Sequence, residues 1–149
     1  MTRFPRWILT ADSSRARIFV QNDAASELEE IKKMDHLPAR LHPSELLTDR
    51  QGRRFESMGS GHRSAMEPDV DPKAEAARAF SKQVTGFIES GAQGDKFAEL
   101  VVSAAPKFLG LLRADFSPQL QGKVTLELSK NLLSLTAREI LDQIRRAEE

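Results

Sequence analysis

Apolar and polar positions divide the chain into short strands, amphipathic helices and one long stretch that has no period. Trp7-Ile8-Leu9-Thr10-Ala11 is a short, mostly apolar run stopped by Asp12-Ser13-Ser14, whose side chains bond nearby backbone and so favour a turn. Arg15 to Gln21 follows at hairpin distance, rich in β-formers around Ile18-Phe19-Val20, and Asn22-Asp23 closes it. These two runs predict an antiparallel hairpin. The next segment, Ser26 to Met34, gives conflicting signals. Ser26 and Glu29 have the spacing of a helix-capping box, and Leu28, Ile31 and Met34 recur every third residue, so local physics favours a helix. A third antiparallel strand, completing a meander, is the competing expectation.

Regular periodicity returns at Asp71-Pro72, a helix start with Asp as N-cap and Pro in the first turn. Ala76, Ala77, Phe80, Val84, Phe87 and Ile88 then line one face, and the helix is expected to stop near Gly91, with Gly91 to Gly94 as a turn. Leu100 to Ala105 is apolar without alternation, as in a parallel strand buried on both faces. Pro106 opens a short helix with Phe108, Leu109, Leu112 and Phe116 on its inner side. Val124, Leu126 and Leu128 alternate with polar residues and predict a half-buried strand. Thr136 and Glu139 form a second capping box, Leu135 and Ile140 can staple it, and Ile140, Leu141 and Ile144 continue its apolar stripe. The order predicts an α/β fold: a hairpin-based sheet extended by two parallel βα units and flanked by helices.

Between these blocks, residues 35–71 carry no periodicity beyond a turn near Ser44-Glu45-Leu46-Leu47. Connections longer than about 12–15 residues are uncommon unless they are functional or disordered, which makes this long loop the first functional suspect. It holds all three histidines, His36, His42 and His62, and its middle sets Arg50, Arg53, Arg54 and Arg63 against Glu56 alone.

Composition narrows the classes. The 149 residues suit one domain with a real core, so residues 1–149 are read as a single unit. Lys plus Arg equals Asp plus Glu at 22 each, so any attraction for polyanions must be local. With no cysteine, thiol catalysis, disulfides and Cys-based metal sites are excluded. No segment approaches a signal peptide or a membrane span; a cytoplasmic protein without membrane contact is expected.

Several constellations can carry chemistry. Gly59-Ser60-Gly61 has the backbone freedom to cradle phosphate but lacks the Lys-Ser/Thr ending and the preceding strand of a P-loop. The three histidines with Asp35 or Asp49 have no metal-site spacing, so neither a metal nor any other cofactor is expected. Ser13 and Ser14 have no partner histidine near them in sequence. Asp12, Arg15 and Arg17 form a possible site at the hairpin tip, with a turn-capping aspartate and an exposed ion pair as the plain alternative. Lys107 and Arg113 read as the solvated face of their helix. Arg50, Arg53, Arg54, His62 and Arg63, with Gly52, Gly59 and Gly61 as backbone hinges, form the candidate RNA- or phosphate-binding set. Guanidinium groups fork onto phosphate oxygens, and a loop can enter a groove that a folded surface cannot.

Taken together, Trp7 to Asp12, Arg15 to Phe19, Asp49-Arg50-Gln51-Gly52-Arg53, the Gly-rich segment with His62 and Met66-Glu67-Pro68, Phe80, and Pro106 to Arg113 resemble the bacterial host attachment protein family. That family is in turn distantly similar to the central domain of archaeal and eukaryotic peptide chain release factors. The second resemblance implies an RNase H-like mixed sheet in which Glu27 to Met34 is a strand despite its helical look. It also aligns Gly59-Ser60-Gly61-His62-Arg63-Ser64-Ala65 with the release-factor loop that bears Gly-Gly-Gln, with His62 in place of the second glycine and Arg63 in place of the glutamine. Those replacements remove the group that places a water and the backbone freedom around it. The expectation is therefore a non-catalytic translation-linked accessory domain that meets the ribosome or structured RNA through its basic loop. Two alternatives stay open: a protein-interaction factor acting indirectly in attachment to host cells, and a hydrolase using Asp12 and His62. The oligomeric state is left open.

Overall fold

The computed structural model describes residues 2–36 and 71–149. They form a five-stranded mixed sheet, with β1 Arg6–Ala11, β2 Arg15–Gln21, β3 Glu29–Asp35, β4 Glu99–Ala104 and β5 Val124–Leu128 in the spatial order β3-β2-β1-β4-β5. β1 pairs antiparallel with β2 and β2 with β3, whereas β1 and β4, and β4 and β5, run parallel. The helices are α1 Pro72–Gln93, α2 Pro106–Asp115, α3 Pro118–Gln121 and α4 Ala137–Glu148. This is the architecture expected of the hydropathy pattern, antiparallel hairpin strands continued by parallel ones.

Strand alternation assigns the two faces. Trp7, Leu9 and Ala11 of β1 and Leu100, Val102 and Ala104 of β4 meet Phe80, Val84 and Ile88 of α1, Phe108, Leu109 and Leu112 of α2 and Leu120 of α3 in the larger core. Ile8, Phe19 and Val101 face the other way, onto Ile140, Leu141 and Ile144 of α4. β1 and β4 are buried along their whole length, as the unalternating run in β4 predicts. Fully burying a Leu, Ile or Phe side chain contributes roughly 1.5–3 kcal/mol, so these two strands anchor both layers.

β3 is where local signals and tertiary context disagree most. No capping box forms at Ser26; its N–H donates to Asp23 O at 3.1 Å in a turn, and its carbonyl accepts from Gln21 Nε2 at 3.2 Å. The three-residue spacing of Leu28, Ile31 and Met34 serves a bulged strand instead. Ile18 pairs with Lys32 and Phe19 with Glu30, so Ile31 is the unpaired extra residue, left 39% exposed. Leu28 is buried on the α4 side and Met34 packs on the α1 side. A bulge switches the side to which the strand's residues point, which lets a helical spacing fill two faces of a sheet.

Smaller boundaries also move. α1 runs through Gly91 to Gln93, because a Cβ at Gly91 would lie 2.4 Å from the ring of Trp7 and only glycine lets the helix pass that close. The reversal comes at Gly94-Asp95, with Asp95 at φ 54°. Ala105 is the N-cap of α2 rather than the end of the strand. The one-turn α3, capped by Ser117, has no hydrophobic period from which to be read. The Thr136–Glu139 box forms as expected, with both reciprocal bonds at 3.1 and 2.9 Å.

Candidate functional site

β1 turns back into β2 on one side while β4 continues towards β5 on the other. The sheet therefore changes winding direction between β1 and β4, and in open α/β sheets the crevice outside the carboxyl ends of such strands is where ligands bind. Four chain segments converge there: the β1–β2 turn, the end of β3, and the starts of α1 and α2. His36, directly after β3, donates its backbone N–H to Ser14 O at 2.8 Å and sets its ring 5.5 Å from that of Phe80. Its Nδ1 is buried without a hydrogen-bond partner among the described residues. Asp71 caps α1 by accepting from Lys73 N at 3.0 Å.

On the α1/α2 side of this end lies a groove of about 540 Å³. Ala74 and Ala77 of α1 and Leu111 of α2 supply its apolar lining, and Ser13 and Asp71 line it as well. Lys73 and Arg78 stand on one wall and Lys107 on the other. Asp71 is the single acid on the described lining, and its carboxylate already caps the helix. Arg78 is paired with Glu75 at 2.9 Å, with both side chains at least half exposed, a pair that water screens and a stronger anion can displace. Lys73 and Lys107 have no ion-pair partner among the described residues. Both helices open with the dipeptide Pro-Lys, each placing a lysine in the first turn. A cation there opposes the helix macrodipole and costs about 0.3–1 kcal/mol. Helix stability alone does not explain these lysines.

The hairpin-tip residues are committed elsewhere. Asp12 Oδ1 accepts from Ser14 N and Arg15 N, each at 2.9 Å, and Oδ2 accepts from Asn131 at 3.3 Å. Asp12 therefore holds the turn. Arg17 points to the opposite face, where Nε and Nη2 grip Glu30 and Nη1 donates to the carbonyls of Leu133 and Leu135 at 2.9 and 2.8 Å. Its guanidinium also lies 4.9 Å from the Phe19 ring centroid. With Ser103 Oγ donating to Lys130 O at 2.7 Å, these groups clamp the β5–α4 connection. Arg15 stays exposed. Asp12, Arg15 and Arg17 thus do not converge on one point. Arg113 is tied to Glu127 of β5 at 2.8 and 2.6 Å, and that hydrogen bond, followed by the carboxylate's charge, holds its guanidinium above its ordinary pKa.

Arg50, Arg53, Arg54, His62 and Arg63, with Gly52, Gly59 and Gly61, lie outside the described residues, as does His42. Among the described residues no group of three or more His, Asp or Glu side chains is placed to hold a metal ion, and no helix is long and apolar enough to cross a membrane. Sequence reasoning missed Lys73 and Arg78 and read Lys107 as plain solvated surface. The repeated Pro-Lys helix opening was the available signal.

The family model described as "Protein required for attachment to host cells" matches residues 7–144, from β1 into α4. The chain belongs to that family. The match spans both faces of the sheet and every strand of the host-attachment fold described above. No curated protein matches the chain.

Proposed function

We propose that this host-attachment family member is a non-catalytic accessory domain that binds RNA, in the cell chiefly as the ribosome, through its basic Gly/Arg/His segment. One observation of placement carries the reading. Arg50, Arg53, Arg54, His62 and Arg63 lie in the sequence between His36 and Asp71, and these two residues sit at the carboxyl end of the sheet beside Lys73, Arg78 and Lys107. This reading gathers cations from two parts of the sequence at one end of a molecule that has no net charge. Such local concentration is what a polyanion recognises.

The ribosome is favoured over free RNA by the resemblance to release-factor central domains, a likeness that belongs to this proposal and not to the family match. Arg63 and His62 in place of glutamine and glycine argue for binding without ester hydrolysis. On this reading the protein works in the cytoplasm, and its effect on attachment to host cells is indirect. Co-sedimentation with ribosomes across a salt series tests it. Binding should fall steeply with salt and vanish when Arg50, Arg53, Arg54 and Arg63 are all changed to Ala. A folded protein that fails to sediment even at low salt would end the translation reading and turn attention to protein partners.

A further inference from the structure

We infer that the groove between α1 and α2 seats the phosphate backbone of single-stranded RNA, with Lys73, Arg78 and Lys107 as its phosphate contacts. The inference rests on the RNA reading above but assigns residues that reading does not use. At about 540 Å³ the groove falls within the ~300–1,000 Å³ of ordinary ligand sites. Its charge is one-sided: cations stand on both walls, and the lone acid on the described lining is occupied as a helix cap.

The apolar part of the described lining decides between an acidic peptide and a nucleic acid. Ala74 and Ala77 offer one methyl each, and Leu111 is the one large apolar side chain on the described lining. Peptides that dock in grooves gain their affinity from several deep apolar anchors, and there is little here to receive them. Recognition must come from the charges, which favours a ligand with a regular, dense row of anions. No aromatic ring among the described residues lines the groove, so the described lining offers bases no stacking platform and the contact should be indifferent to sequence. The lysines themselves tolerate the electrostatic cost of a helix first turn, and they lack internal partners among the described residues. Both conditions suit groups kept for an external anion.

Counterion release gives the proposal a numerical signature. Each phosphate contact to a single strand contributes about −0.7 to the slope of log K against log salt. Fluorescence anisotropy of a labelled oligouridylate, titrated over a salt series, should therefore show the slope of the full-length protein shrink by about 1.4 in the Lys73→Ala/Lys107→Ala double variant. A thermal midpoint no lower than the parent's would show that the variant is folded. A Lys73→Arg/Lys107→Arg variant should keep the slope. If the parent binds and the Ala variant shows the same slope, the groove holds no phosphate, while the RNA reading of the arginine segment survives. If poly-glutamate competes charge for charge with the oligonucleotide in the parent but not in the Ala variant, the groove is an acidic-peptide site and the proposal is overturned. If the parent binds no RNA at the lowest salt, both readings fall together.

Discussion

The two faces of the sheet treat their cations in opposite ways. On the α4 face, Arg6 is sealed in and Arg17 is largely buried. The Arg6 side chain is 4% exposed and bonds Gln21 Oε1 at 2.8 Å and Glu148 at 2.7 Å, while Arg17 spends its donors on Glu30 and two backbone carbonyls. On the α1/α2 face, at the carboxyl end, Lys73 and Lys107 stand exposed beside a groove without a partner among the described residues. Burial against internal acceptors turns a charge into a structural tie, because removing it would leave desolvated groups unpaired. A charge left on an open wall adds nothing to the fold and remains available to a ligand. The sign of the residue is the same in both regions; its surroundings decide its use.

Substitutions should separate the two classes by size and by kind of effect. Arg6→Met strands the buried Gln21 amide and the Glu148 carboxylate at the end of α4, and should cost about 2–3 kcal/mol in urea unfolding with no change in RNA affinity. Arg17→Ala frees the Leu133 and Leu135 carbonyls and Glu30, whose side chain is about a quarter exposed; a loss of about 2 kcal/mol is expected, along with faster hydrogen exchange in residues 129–136. Ser103→Ala removes one neutral tie, to Lys130 O, and should cost about 1 kcal/mol by thermal unfolding. Lys73→Ala with Lys107→Ala should raise stability, by about 0.6–2 kcal/mol, since two cations leave helix first turns. If the lysine variant proves as destabilised as Arg17→Ala, the distinction between sealed and open cations fails.

The sequence carried most of this fold because its strongest patterns are cooperative ones. The unalternating run of β4, the apolar face of α1 and the capping box of α4 each report one environment along their whole length, and each is found where expected. Glu29–Asp35 misled because a bulge at Ile31 changes face in mid-strand, and a switched two-residue period mimics a three-residue one. The passage of α1 through Gly91 depends on the ring of Trp7, more than eighty residues away, and no local rule contains that contact. Asp12 reads as a turn cap from its place before two serines, and it is one. Arg17 was harder, since its acceptors are carbonyls of the β5–α4 connection, which no side-chain pattern marks. The groove lysines were legible only as a repeated Pro-Lys, and their proximity comes from the parallel pairing of β1 with β4 that brings the starts of α1 and α2 together.

The most direct test of the account is photocrosslinking of 4-thiouridine-substituted single-stranded RNA to the unmodified protein, with crosslinked residues mapped by mass spectrometry. Crosslinks confined to residues 50–63, 71–78 and 105–111 would place RNA at the carboxyl end of the sheet, as predicted. Crosslinks concentrated on α4, or none under conditions where the protein is folded, would contradict it.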